Sequence, residues 1–143
     1  MPSLPQSILL KGLLSLLYLN LKENNGLYVD NLHWILTPLV GFVNSTSLRV
    51  LDLSKNHFNQ EIPNWFSNRS TSLLEYLDLR DNSLSGKIPN SLGNLSQMQA
   101  LLLGVNKLNG TVPKSLGLLS NLFAVSISHN FFTGSLDEAH FSK

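Results

Sequence analysis

LDLRDNSLSGKIPNSLGNLS (77–96) is answered 24 residues further on by LLLGVNKLNGTVPKSLGLLS (101–120). Leucines, an asparagine, a glycine, a proline and the closing serine–leucine–glycine return in the same order, while the residues between them change. A fixed frame with free gaps, recurring at an interval of this size, marks a structural unit that is stacked and not merely repeated.

Extended outward, the frame reads L-x-x-L-x-L-x-x-N. It occurs at Leu48, Leu51, Leu53, Asn56; at Leu74, Leu77, Leu79, Asn82; at Met98, Leu101, Leu103, Asn106; and at Leu122, Val125, Ile127, Asn130. An earlier copy fits Leu16, Leu19, Leu21 and Asn24, so the asparagines are spaced by 32, 26, 24 and 24 residues. In L-x-L the apolar residues alternate with others at the period of a half-buried strand. The asparagine follows where the chain leaves the strand. Its amide has two donors and an acceptor, so a column Asn56, Asn82, Asn106, Asn130 can satisfy backbone groups of successive turns.

A second module follows each asparagine: FNQEIP (58–63), LSGKIP (84–89), LNGTVP (108–113) and FTGSLD (132–137). Its glycine suits a tight bend with positive φ, and its proline fixes φ and removes a donor. Ile62, Ile88, Val112 and Leu136 supply another apolar anchor. SLGNLS (91–96) and SLGLLS (115–120) are too short for a long helix and predict a single 3₁₀ turn on the back of each coil. One coil cannot bury its own leucines but stacked neighbours can, so the chain reads as a solenoid of the α/β class. A parallel sheet lines its concave face, and short helical turns form the convex side. The whole, 1–143, is one domain of about five repeats, with an irregular first repeat at 12–44 and regular repeats at 45–143.

Composition supports this and excludes much else. Leucine supplies 32 of 143 residues and asparagine 16, excesses that a recurring positional need explains. The net charge is +1 with signs interspersed, so no basic surface for nucleic acid stands out. Without cysteine there is no disulfide framework or thiolate metal site. GLLSLLYL (12–19) and WILTPLVGFV (34–43) fall short of a membrane span. The first of them reads as repeat one and not as a secretory leader, because 1–10 carry no basic residue, Lys11 sits at the edge of the run and no small-x-small site follows.

LEYLDLRDNSLSGKIP (74–89) resembles the 24-residue plant-specific leucine-rich repeat. That repeat builds ectodomains of receptor-like proteins and receptor-like kinases, and polygalacturonase-inhibiting proteins. STSLRVLDLSKNHFNQEIPNWF (45–66) and VSISHNFFTGSL (125–136) are most similar to the membrane-anchored receptor-like proteins of plant immunity, the group that perceives fungal xylanase and its scab-resistance relatives among them. The resemblance covers 45–143 firmly and 12–44 loosely. It implies a non-enzymatic recognition module that binds a protein or peptide ligand and possesses a co-receptor kinase as signalling partner, at the extracellular face of the plasma membrane. The alternatives are a soluble inhibitor of a microbial wall-degrading enzyme, and a truncated product without activity of its own. The family's cysteine-paired caps have no counterpart here, and 31–44 contains no second L-x-L-x-x-N, which predicts a fragment or truncated form. Leu13, Leu14, Leu16 and Leu19 at one end, and Phe131, Phe132, Leu136 and Phe141 at the other, would then meet water, so a marginal or self-associating chain is expected.

In this frame the x residues write the concave surface. Glu75, Tyr76, Asp78, Arg80 and Asp81 form its centre, with Phe123 and His129 flanking. Two readings stand beside each other: a ligand surface, or solvated framework residues. Arg80 is read as a surface residue whose replacement leaves stability unchanged. Asp52 and Asp78 stand on neighbouring strands in a position expected to face open solvent, and L-D-L is the ordinary wording of the repeat, so paired-carboxylate catalysis is not expected. His33, His57, His129 and His140 share no ligand spacing, and no cofactor motif occurs; the glycines are read as turn residues. Sequons at Asn44, Asn68, Asn94 and Asn109 are candidate N-glycosylation sites.

Overall fold

The computed structural model describes residues 17–23, 48–62, 64 and 73–141. Each L-x-L segment is a three-residue strand: β1 (Tyr18–Asn20), β2 (Val50–Asp52), β3 (Tyr76–Asp78), β5 (Ala100–Leu102) and β7 (Ala124–Ser126). They form one parallel sheet in chain order, and the central leucines fall in one row as Leu19, Leu51, Leu77, Leu101 and Val125. The expected solenoid is what the chain builds. Leu16 and Asn24 of the first copy, Leu13 and Leu14, and the segment 31–44 lie outside the described residues.

The core follows from the frame. Leu51, Leu53, Leu77, Leu79, Leu101 and Leu103 turn inward and are buried, joined by Leu48, Leu74, Met98 and Leu122 from the start of each repeat. Phe58, Leu84 and Leu108 enter from the far side of each asparagine, and Ile62, Ile88 and Val112 from the second module. Every one of these layers touches the next coil, so burial is shared along the stack, at about 25 cal/mol per Å² of apolar surface.

The asparagines tie the coils together. Asn82 Nδ2 donates to Leu53 O, Leu79 O and Arg80 O at 3.1, 3.1 and 3.2 Å, and its Oδ1 accepts from Phe58 N–H at 3.2 Å. Asn106 Nδ2 donates to Leu79 O and Leu103 O at 2.9 and 3.1 Å, and its Oδ1 accepts from Leu84 N–H at 3.0 Å. Asn130 repeats the pattern on Leu103 O, Ile127 O and Leu108 N–H, and Asn56 donates to Leu21 O and Leu53 O. The carbonyls of Leu53, Leu79 and Leu103 are thus each shared by two asparagines, one from their own coil and one from the next.

The second module does more than turn. β4 (Ser85–Gly86), β6 (Lys107–Gly110) and β8 (Phe131–Phe132) form a second parallel ladder beside the first. Gly86 and Gly110 adopt φ of +73° within it, and Glu61 bridges to Ser85 at its edge. Period-two reasoning misses this sheet because β4 and β8 are two residues long and no L-x-L alternation recurs along it. Beyond it, 3₁₀ helices at Asn90–Asn94, Lys114–Leu118 and Glu138–His140 stack on one another, the first two as the S-L-G segments predict and the third without such a segment.

One glycine assignment is corrected here. Gly93 and Gly117 do not serve a left-handed turn: a Cβ on Gly93 would lie 2.3 Å from Ser115 O, and one on Gly117 2.4 Å from Ala139 O. The glycine of S-L-G lets successive 3₁₀ helices touch backbone to backbone.

Candidate functional site

The open face of the five-stranded sheet carries the x residues in columns, one per strand, at a spacing of about 4.8 Å. Side chains pair mostly along and across adjacent strands. Arg49 on the rim of β2 forms an ion pair with Glu75 before β3, and Lys55 Nζ lies 2.7 Å from Glu23 Oε1. That contact holds the Glu23 carboxyl below the ordinary carboxylate range and raises the Lys55 ammonium.

Asp78 departs from expectation. It is 1% exposed, where open solvent was expected, because Arg80 folds back over it. Arg80 Nε donates to Asp78 Oδ1 at 3.0 Å and its Nη2 to Oδ2 at 2.6 Å. Arg80 N–H donates to the same Oδ1 at 3.0 Å, and the Tyr76 hydroxyl lies 3.4 Å from Oδ2. Burial, then the neighbouring Asp78 charge, pushes the Tyr76 phenol upward. Hydrogen bonding to Asp78 raises the Arg80 guanidinium further. Arg80 is therefore the counter-ion of a buried carboxylate and not a bystander on the surface, which corrects the reading that its loss costs nothing.

Asp52 and Asp78 are register partners, as their frame positions require. Neither is free for acid–base work: Asp52 Oδ1 accepts from Ser54 N–H and Oγ–H at 3.0 and 2.7 Å, and Asp78 is saturated by Arg80. Among the described residues no group of three or more histidines or acids is placed to hold a metal ion. Nor, among them, is any helix long and apolar enough to cross a membrane.

Of the predicted centre, Tyr76, Asp78 and Arg80 are held together as one patch, while Glu75 pairs instead with Arg49 and Asp81 is exposed at φ +54°. Phe123 and His129 stand two strands away on the last repeat and make no contact with that patch in the hydrogen-bond and ion-pair network. Phe123 is 76% exposed and rims a cavity of about 260 Å³ lined by Leu116, Leu122 and Phe141. Between the two groups lie Leu102, Gly104 and Val105, which sequence reading passed over. The available signal was a broken rule: Leu102 stands where earlier repeats carry Asn20, Asp52 and Asp78.

Of the sequons, Asn94 and Asn109 are exposed and line a shallow groove flanking β4 and β6, while Asn44 and Asn68 lie outside the described residues. His140 was read as an isolated histidine, yet it is buried: Asp137 N–H donates to its Nδ1 at 3.0 Å, and its Nε2 lies 3.0 Å from Val112 O. It closes the last 3₁₀ helix onto the preceding coil.

Residues 46–108 match the family model for the leucine rich repeat. The receptor kinase-like protein Xa21 of Oryza sativa subsp. japonica is 45% identical over 60 residues, 42% of this chain and 6% of Xa21. The LRR receptor-like serine/threonine-protein kinase EFR of Arabidopsis thaliana is 42% identical over 60 residues, again 42% of this chain and 6% of the relative. Among solved structures, the plant peptide hormone receptor RGFR1 in complex with RGF2 superposes with a TM-score of 0.64 at 32% identity, over 72% of this chain and 16% of that one. The Arabidopsis receptor kinase HAESA, in complex with the peptide hormone IDA and the co-receptor SERK1, superposes with a TM-score of 0.58 at 33% identity, over 65% and 15%.

Fold, asparagine ladder and the match over 46–108 define a leucine-rich-repeat chain. Its repeats are similar to those of plant LRR receptor kinases, and the aligned stretch spans only 6% of the length of the curated relatives.

Proposed function

We propose that the chain is a non-catalytic recognition module of a plant cell-surface receptor-like protein, displayed on the extracellular side, that binds a peptide or protein on the open face of its five-stranded sheet. The observation that carries this reading is the division of labour within each strand. Inward leucines and the asparagine ladder are committed to stacking, which leaves the x residues on a rigid sheet free to differ from coil to coil. The relatives whose solved structures hold peptide hormones and a co-receptor present the same architecture. Four carboxylates of this face, Glu23, Asp52, Glu75 and Asp78, are engaged by Lys55, Ser54, Arg49 and Arg80, which favours a binding surface over acid–base chemistry. The kinase activity in the relatives' names belongs to whole proteins of which this chain matches a small part.

The test is surface plasmon resonance of the immobilised chain against a panel of synthetic secreted plant peptides and the SERK1 ectodomain. Binding should fall at least tenfold in Tyr76→Ala or Phe123→Ala and stay unchanged in Lys107→Ala on the second sheet. Equal loss in all three variants, or inhibition of a fungal polygalacturonase without peptide or co-receptor binding, would contradict the reading.

A further inference from the structure

The first three strands of the open face share a device that the last two lack. Asn20, Asp52 and Asp78 occupy the same row of the sheet, and the Oδ1 of each accepts the N–H two residues on, from Lys22, Ser54 and Arg80 at 2.8, 3.0 and 3.0 Å. In β5 and β7 that row holds Leu102 and Ser126. Neither supplies the bond, and the N–H groups of Gly104 and Ser128 have no acceptor among the described residues. The backbone itself does not change: the residues that follow, Glu23, Lys55, Asp81, Val105 and His129, all have φ between 54° and 58°. The two unaccepted amides therefore point the way the three capped ones do, about 4.8 Å apart on adjacent strands.

Their surroundings differ from the rest of the face. Strands β2 and β3 carry Arg49, Asp52, Glu75, Asp78 and Arg80, whereas β5 and β7 present Gln99, Leu102, Val105, Phe123, Ser126 and Ser128. Val105 and Phe123 are exposed although apolar. Gly104 has no side chain, and the Ser126 hydroxyl takes the space beside it, 2.7 Å from where a Cβ would stand. A leucine that forgoes a backbone cap, a glycine beside it and two amides without acceptors break the local rule together, as functional positions do.

We propose that this half of the sheet receives from a bound peptide the oxygen that the first three repeats draw from their own side chains. The ligand, on the recognition reading above, is an extended peptide segment with an aspartate whose carboxylate accepts from Gly104 and Ser128 N–H. An apolar residue two positions away, on the same face of the segment, packs on Leu102, Val105 and Phe123. A carboxylate makes the stronger charge-assisted bond, so aspartate binds better than asparagine, and alanine in its place binds least.

The experiment uses the ¹⁵N-labelled chain and three pools of N-acetylated, C-amidated heptapeptides, random except for a central Leu-x-Asp, Leu-x-Asn or Leu-x-Ala. The Gly104 and Ser128 amide signals should shift with the Asp pool, and at least fivefold less with the Ala pool. Leu102→Asn, which supplies the missing oxygen internally as Asn20 does, should raise Tm and abolish the shifts; Ser126→Asn should weaken them. Equal shifts with the Asp and Ala pools, or shifts that survive Leu102→Asn in a folded variant, would overturn the assignment. Shifts confined to Arg49, Glu75 and Tyr76 would overturn it while leaving peptide recognition standing, and no shift from any pool would overturn it outright.

Discussion

At the scale of one residue, Asn106 shows what the frame demands. Its amide serves two carbonyls from different coils, and its oxygen takes the N–H of Leu84, all in a buried setting. No other side chain offers that set at that length: aspartate would aim a carboxylate at the carbonyls, and alanine would leave the Leu84 N–H without its acceptor and take one of the two amides from each of the Leu79 and Leu103 carbonyls. Asn106→Ala should cost about 2–4 kcal/mol, read by urea denaturation. This role was legible in the sequence because the asparagine recurs at a fixed offset. The role of Arg80 was not, because a side chain at an x position can face water or fold back, and only the burial of Asp78 decides between them. Arg80→Ala should cost about 1–2 kcal/mol, discounted for the half-exposed guanidinium, and Asp78→Asn in the same chain should recover part of it. Val105 is a β-branched residue at φ 58°, a left-handed conformation its side chain opposes. Val105→Asn should stabilise by about 1 kcal/mol and raise Tm, at the cost of the apolar patch.

At the scale of the element, the S-L-G turn separates two uses of glycine that a sequence does not distinguish. Gly86 is needed for its φ, and its missing Cβ would meet only the mobile end of Glu61. Gly93 is needed for contact, because its Cβ would meet the backbone oxygen of Ser115. Gly93→Ala should therefore be the more damaging of the two, by about 2–4 kcal/mol against about 1 kcal/mol for Gly86→Ala, in paired denaturation curves. The second sheet was likewise illegible, since two of its three strands are only two residues long and leave no period to read. The last 3₁₀ helix responds to acid. The hydrogen bond from Lys114 holds the Asp137 carboxyl below its ordinary value, and its Oδ1 accepts from Ala139 N–H at 3.0 Å. A lowered carboxylate stabilises the folded form above the unfolded pKa and loses that effect as pH falls through the folded one. The Ala139 amide should therefore lose protection from exchange below about pH 4, before the amides of β3 and β5 do. Simultaneous loss would show that the cap contributes nothing.

At the scale of the molecule, stability belongs to the contacts between coils and not to any coil alone, which is why a frame of leucines and asparagines with free gaps was enough to read the solenoid. On the proposed function the gaps carry recognition, and their surroundings depend on neighbours 24 or more residues away that no local pattern reports. Glu75, Tyr76, Asp78 and Arg80 were visible as one strand's worth of polar residues. The patch formed by Leu102, Val105 and Phe123 becomes visible only once adjacent coils are laid side by side.

The central claim is that the shared carbonyls of Leu53, Leu79 and Leu103 join each coil to the next through the asparagine ladder. Native-state hydrogen exchange on Asn106→Ala tests it directly. The account predicts that the Leu84 amide, and the amides of β3 and β5 on either side of the break, lose protection together, while those of β2 are affected less. Loss confined to Leu84, with β3 and β5 as protected as in the parent chain, would contradict it.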